Sequence, residues 1–191
     1  IRRKSQSDMR HEVYNSLRTV QVLRQGYRTA RSAFKYRDTP PIEQLNAGLQ
    51  PGIYLEPSGA WVRAWAVTEA LVRQIAVEVE EGGADFWLAT LSNPIQVYPD
   101  ANVRQEFAKS LGIDDLLYPD KRLVELGIAV GIPVVTLVVP LRATASELGQ
   151  GLHGSSKFAG GHWNALGHAA AGKELAARFC RVYRPAVLSR N

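Results

Sequence analysis

His162 lies between Gly161 and Trp163, just ahead of an alanine-rich run that reads as the last helix. An imidazole in a loop before a helix, off any packed face, is placed to act as a general base, because its unperturbed pKa lies near neutrality. Its neighbours read as the parts that would hold it. Asn164 suits the cap of the helix, its side-chain oxygen accepting from first-turn N–H groups. Gly167 permits close helix–sheet packing. His168 reads as a buried hydrogen-bonding brace, and Trp163 as a pocket wall. Ser92 and Asn93 follow a short apolar run. In open α/β sheets ligands sit beyond the carboxyl ends of strands, which makes Ser92, Asn93 and Trp163 candidate substrate-pocket residues.

Other chemistries fit less well. His153, His162 and His168 could be assembled with carboxylates, but 162 and 168 do not share a helix face, and no CxxC or HExxH occurs. The glycine-rich stretch Gly149–Lys157 could form an anion-binding nest. It matches neither the dinucleotide fingerprint nor the P-loop and follows a helix, so it reads as a flexible loop beside the site. No metal and no cofactor are expected.

Periodicity supplies the elements that must position these residues. Val13, Leu17, Val20, Leu23 and Tyr27 mark a helix over 8–34. Trp61, Trp65, Thr68, Val72, Ile75 and Val79 form one stripe of a helix over 60–80, with Ser58 as its cap. Residues 84–91 and 132–139 read as parallel strands, the first ended by Ser92-Asn93-Pro94 and the second by Pro140. Helices are expected over 102–111, over 121–130 (capped by Asp120 and closed by Gly131), over 142–149, and over 165–182 with Leu166, Ala170, Leu175 and Phe179 inward. A Gly/Ser-rich loop spans 149–161. Alternating helices and strands with short connections imply a parallel sheet with right-handed crossovers. Two strands are few for such a sheet, so further strands are expected upstream of Ile1, or a hidden one around Gly52-Ile53-Tyr54-Leu55. The organisation read is a basic helical segment 1–38, a connector 39–58, an α/β domain 59–185 and a tail 186–191.

Composition narrows the classes. The 191 residues carry a net charge of +5. Residues 1–37 hold ten Lys/Arg against Asp8 and Glu12, a local +8, which leaves −3 for the rest. We read this arm as a solvated helix face rather than a nucleic-acid contact, since base-stacking aromatics are sparse in it. Cys180 is the single cysteine, which excludes an internal disulfide. No signal-peptide pattern and no apolar run approaching 18 residues is present.

The segment His162-Trp163-Asn164-Ala165-Leu166-Gly167-His168 resembles the last conserved block of SGNH (GDSL-type) hydrolases. Gly59-Ala60-Trp61, Gln96-Val97-Tyr98-Pro99, Tyr118-Pro119-Asp120-Lys121-Arg122-Leu123 and Gly131-Ile132-Pro133-Val134 are similar to a bacterial branch of that family, so the resemblance covers residues 55–181. It implies a three-layer α/β/α fold with a parallel, flavodoxin-like sheet lacking its N-terminal strands. It also implies an ester hydrolase or O-acyltransferase acting on a small acyl ester or an acylated carbohydrate, with His162 as general base to a serine. Two departures stand out. No Gly-Asp-Ser block occurs, so the nucleophile is expected upstream of residue 1 and the chain alone is expected to be inactive. Gly160 and Ala159 stand where the family carries the aspartate that orients the histidine. The alternative is a degenerate domain of the same shape that binds a ligand, carbohydrate among the candidates.

Overall fold

The computed structural model describes residues 20–23, 26, 27, 30, 42, 45, 46, 50–155 and 158–188, apart from the side chains of 155, 158, 159 and 184–188. The chain divides into two compact units, Ile1–Pro40 and Pro41–Asn191. In the first, the described residues are helical, and Leu23 and Tyr27 are exposed. Val13 and Leu17 of the expected helix lie outside the described residues.

The second unit is mixed helix and sheet with a small parallel sheet. Its helices include α1 (Ala60–Glu81), α2 (Ala101–Ser110), α3 (Tyr118–Val130), α4 (Val138–Leu148) and α5 (Ala165–Leu188). Strands β1 (Leu88–Thr90) and β2 (Val134–Thr136) pair in parallel, Ala89 opposite Val135. Strands β3 (His153–Ser155) and β4 (Phe158–Trp163) pair antiparallel.

Several boundaries differ from the sequence expectation for identifiable reasons. The β1–β2 ladder is three residues long because Pro133 has no N–H to extend it; its carbonyl still accepts from Leu88 N at 3.0 Å. β2 stops at Thr136 rather than running to 139. Burial of Val138, Leu141 and Ala145, one face of a helix, outweighs the β-branched preference of the valines. Pro140 falls in the first turn of α4, where no N–H is needed. The segment Pro51–Tyr54 is a 3₁₀ turn, not a strand. The α1 stripe is rotated: Trp65 and Ala76 are buried, while Thr68 and Ile75 are exposed. Gly59, with φ of 52°, occupies the α1 cap in place of Ser58. The last helix runs past 182 to Leu188, and in it Leu166 and Phe179 are exposed while Ala171 is buried.

Asp120 does not cap a helix. Pro119 fits the opening of α3, which places Asp120 inside the first turn. Gly131 closes that helix in the left-handed conformation, φ 75°, as expected.

Two apolar clusters flank the parallel pair. One joins Val135, Leu137, Val138, Leu141, Leu152 and Ala171; the other joins Tyr54, Ile95, Phe107, Ala108 and Leu116. The loop Leu91–Pro94 follows the carboxyl end of β1 and carries Ser92 and Asn93.

Candidate functional site

The glycine-rich stretch that reads as a loop is largely a hairpin. His153 and Trp163 stand directly opposite each other across β3 and β4, their rings 6.3 Å apart. The register shifts between His153 and Ser155, where Gly154 takes φ of 67°, a conformation that suits a bulge. His162 is therefore on a strand, not in a loop. Alternation along β4 separates it from the face that carries Trp163, and its side chain is exposed.

A hydrogen-bonded chain runs behind it. The indole Nε1–H of Trp163 donates to Ser92 Oγ at 2.9 Å. Ser92 Oγ lies 3.1 Å from His153 Nε2, and His153 Nδ1 lies 2.9 Å from the carbonyl oxygen of Gly161. These partners fix the protons. A carbonyl only accepts, so Nδ1 carries the hydrogen; Nε2 of the neutral ring then accepts from the Ser92 hydroxyl. Burial holds the His153 pKa below its usual value, a hydrogen bond to Gly161 works against that, and His162 adds to the lowering. Ser92 and His153 are each only 6% exposed. The chain therefore grips both chain neighbours of His162, Gly161 by its carbonyl and Trp163 by its indole.

Asn164 caps α5 as expected. Its Oδ1 accepts from Gly167 N at 3.0 Å, and its Nδ2 donates to Gly151 O at 2.9 Å, tying the cap to the start of the hairpin. Gly167 packs closely, but against the hairpin: a Cβ there would lie 2.3 Å from Leu152 O and 3.0 Å from Trp163 Cβ. His168 is exposed rather than buried; it meets Trp163 edge-on at 5.7 Å. Being on the helix face that turns outward, it contributes a ring contact and not a brace.

A cleft of about 460 Å³ gathers Ser92, Asn93, His153, His162, Trp163 and His168. Five of the seven candidates, Ser92, Asn93, His162, Trp163 and His168, are thus in one place together with His153, although 60 or more residues separate Ser92 from its partners on the hairpin; Asn164 and Gly167 are not among the lining residues. Among the described residues no hydrogen bond reaches the His162 side chain, and no group of three His, Cys, Asp or Glu could hold a metal ion.

Four polar residues on the far side of Asn93 escape the sequence reading. Asn93 Nδ2 donates to Tyr54 Oη at 3.0 Å, and its backbone N–H donates to Gln96 Oε1. Gln96 Nε2 donates to Leu116 O and to Asp120 Oδ2, while Thr90 Oγ1 donates to Asp120 Oδ1 at 2.5 Å. Burial pushes the Tyr54 phenol up to about 12 and raises the Asp120 carboxyl, which its hydrogen bonds pull back in part. Pro119 ahead of Asp120 was the one available signal, since a proline at the helix start moves the aspartate inward. His153 gave only a glycine-flanked position in an apolar setting.

No protein-family model, no curated protein and no solved structure matches this chain.

Proposed function

We propose that this chain forms the histidine side of an SGNH-type ester hydrolase or O-acyltransferase site, acting on an acyl ester. His162 serves as general base and then general acid to a serine hydroxyl supplied from outside these 191 residues. A three-layer α/β/α arrangement, with the β1–β2 pair as part of a larger parallel sheet, goes with this reading. The observation that carries it is the division of labour in the block. Asn164, Gly167 and Trp163 are spent on structure, Gly161 is held by His153, and of the two exposed histidines at the cleft His168 meets Trp163 edge-on, while no hydrogen bond among the described residues engages the side chain of His162. Gly160 takes no part in orienting the imidazole. The backbone on either side of it is fixed instead.

The test is hydrolysis of p-nitrophenyl acetate. Residues 1–191 alone should show no turnover above buffer. In the protein that carries the serine, His162→Ala should lower turnover by roughly two to four orders of magnitude. Full activity in that variant would sink the assignment.

A second reading is favoured by the Ser92–His153 geometry, which is that of a nucleophile and its base at 3.1 Å. Against it, the Asn93 backbone N–H is engaged with Gln96 and one hydrogen of Asn93 Nδ2 with Tyr54, which leaves beside Ser92 a single amide hydrogen rather than the set of preorganised donors an oxyanion calls for. Turnover by residues 1–191 that disappears in Ser92→Ala would establish this second reading instead.

A further inference from the structure

A second cavity, of about 350 Å³, shares Leu91 and Asn93 with the His162 cleft, and Asp120 lines it. Its volume lies at the lower end of the range of small-molecule sites, about 300–1,000 Å³. We propose that this cavity binds a primary amine in its ammonium form, carried on a small apolar body, with Asp120 as the counter-charge. The site stands on its own residues, whatever chemistry the neighbouring cleft performs.

Asp120 is a buried carboxyl with no paired cation. It is only 6% exposed. Thr90 and Gln96, both neutral, donate to its oxygens from their side chains. Among the described residues no Lys, Arg or His forms an ion pair with it. Arg142 favours the charged form through space, but its Nε–H donates to Gln96 O at 2.9 Å instead. Burying a carboxylate without a paired charge is costly, so such a group takes up a proton or acquires a cation. Burial accordingly raises the Asp120 pKa, and a cation beside it would meet that demand.

The cavity has acceptors for such a cation. A carboxylate offers about four acceptor positions. Thr90, Gln96 and the Asp120 backbone N–H take three of them, which leaves one for a donor from the cavity. Asn93 Oδ1, in the same lining, accepts nothing among the described residues. A primary ammonium brings three donors and no acceptor. Asp120 and Asn93 receive two of its hydrogens and leave the third to water. Ile53, Trp61, Leu91, Pro119 and Leu123 make much of the remaining wall apolar, which favours a hydrocarbon body behind the charge.

Other occupants fit worse. No Lys, Arg or His lines the cavity, so an anion would meet Asp120 with nothing to offset the repulsion. A neutral apolar molecule would displace water from the carboxylate and supply no partner. A metal ion finds no group of three His, Cys, Asp or Glu among the described residues. A quaternary ammonium brings charge without N–H groups for Asp120 and Asn93.

The experiment is titration calorimetry on residues 1–191 at neutral pH with three probes that share one ring and differ in the head group: phenethylamine, phenethyl alcohol and hydrocinnamate. The amine should bind at least tenfold more tightly than the alcohol, and hydrocinnamate should not bind. Asp120→Asn should erase the preference for the amine over the alcohol. Ala64→Trp fills the cavity from an exposed position of α1 and lies outside the Asp120 hydrogen bonds; it should remove binding of both. Circular dichroism reports the fold of each variant. Where Asp120→Asn fails to fold, the head-group series and Ala64→Trp decide the matter. Amine and alcohol bound alike, an amine that does not bind, a preference kept in folded Asp120→Asn, or amine binding unchanged in Ala64→Trp would each overturn the proposal.

Discussion

As a neutral ring with the proton on Nδ1, His153 donates to Gly161 O and accepts from the Ser92 hydroxyl. Its pKa is lowered by burial, and the consequence for stability has a definite sign. Above pH about 6.5 the ring is neutral in folded and unfolded chains alike. As pH falls below that, the unfolded chain takes up a proton that the folded chain refuses, so stability is lost on acidification until the folded pKa is passed. His153→Asn removes this titration while leaving an amide that can donate to Gly161 O. Thermal unfolding followed from pH 7.5 to 5 should therefore show a shallower acid slope in His153→Asn than in the parent. Coincident slopes would show that His153 titrates as it does in the unfolded chain. The Ser92 and Asn93 positions were legible from the sequence, because a strand followed by Ser-Asn-Pro puts polar groups at its carboxyl end. The role of His153 was not, because it depends on a partner 61 residues away.

At the scale of elements, the hairpin and the start of α5 act together. Asn164 joins them through two hydrogen bonds, so Asn164→Ala should cost about 0.5–2 kcal/mol in urea denaturation. Gly167→Ala places a methyl group 2.3 Å from the Leu152 carbonyl, and overpacking of that kind costs about 1–3 kcal/mol. Gly172→Ala is the matched comparison. A Cβ there meets nothing within 4 Å, so the usual helix preference should apply and stabilise by about 0.5–1 kcal/mol. Equal effects at 167 and 172 would contradict the packing described. Helix existence read well from periodicity and glycine stops, as for α1, α2 and the closure of α3 at Gly131. The hairpin did not, since the glycines of 149–161 carry no alternation of apolar side chains to announce strands.

At the scale of the molecule, α1 exposes an apolar row, Val67, Leu71 and Ile75, at 50%, 56% and 46%. Among the described residues β1 pairs with β2 alone. An exposed apolar row favours association, and so does a strand with an open edge. Leu71→Glu with Ile75→Lys, an i,i+4 pair in the favourable order, should leave helix content unchanged and lower the light scattering of concentrated solutions. Unchanged scattering would mean that this row is not where chains meet. The parallel pairing itself was legible from two β-branched or apolar runs with helices between them. The lengths of those strands were not, because they are set by Pro133 and by the packing of Val138, which no local pattern encodes.

Trp163 and Ser92 lie 71 residues apart in the chain. Closing so long a loop costs entropy before any contact repays it, and pairings of that separation slow folding. Helices α1 to α4 are built from local contacts, whereas the cleft exists only after the last strand has docked. During synthesis the site is completed late, once residue 163 has emerged, and any variant that delays docking of the hairpin should lengthen the time to function while leaving early helix formation untouched.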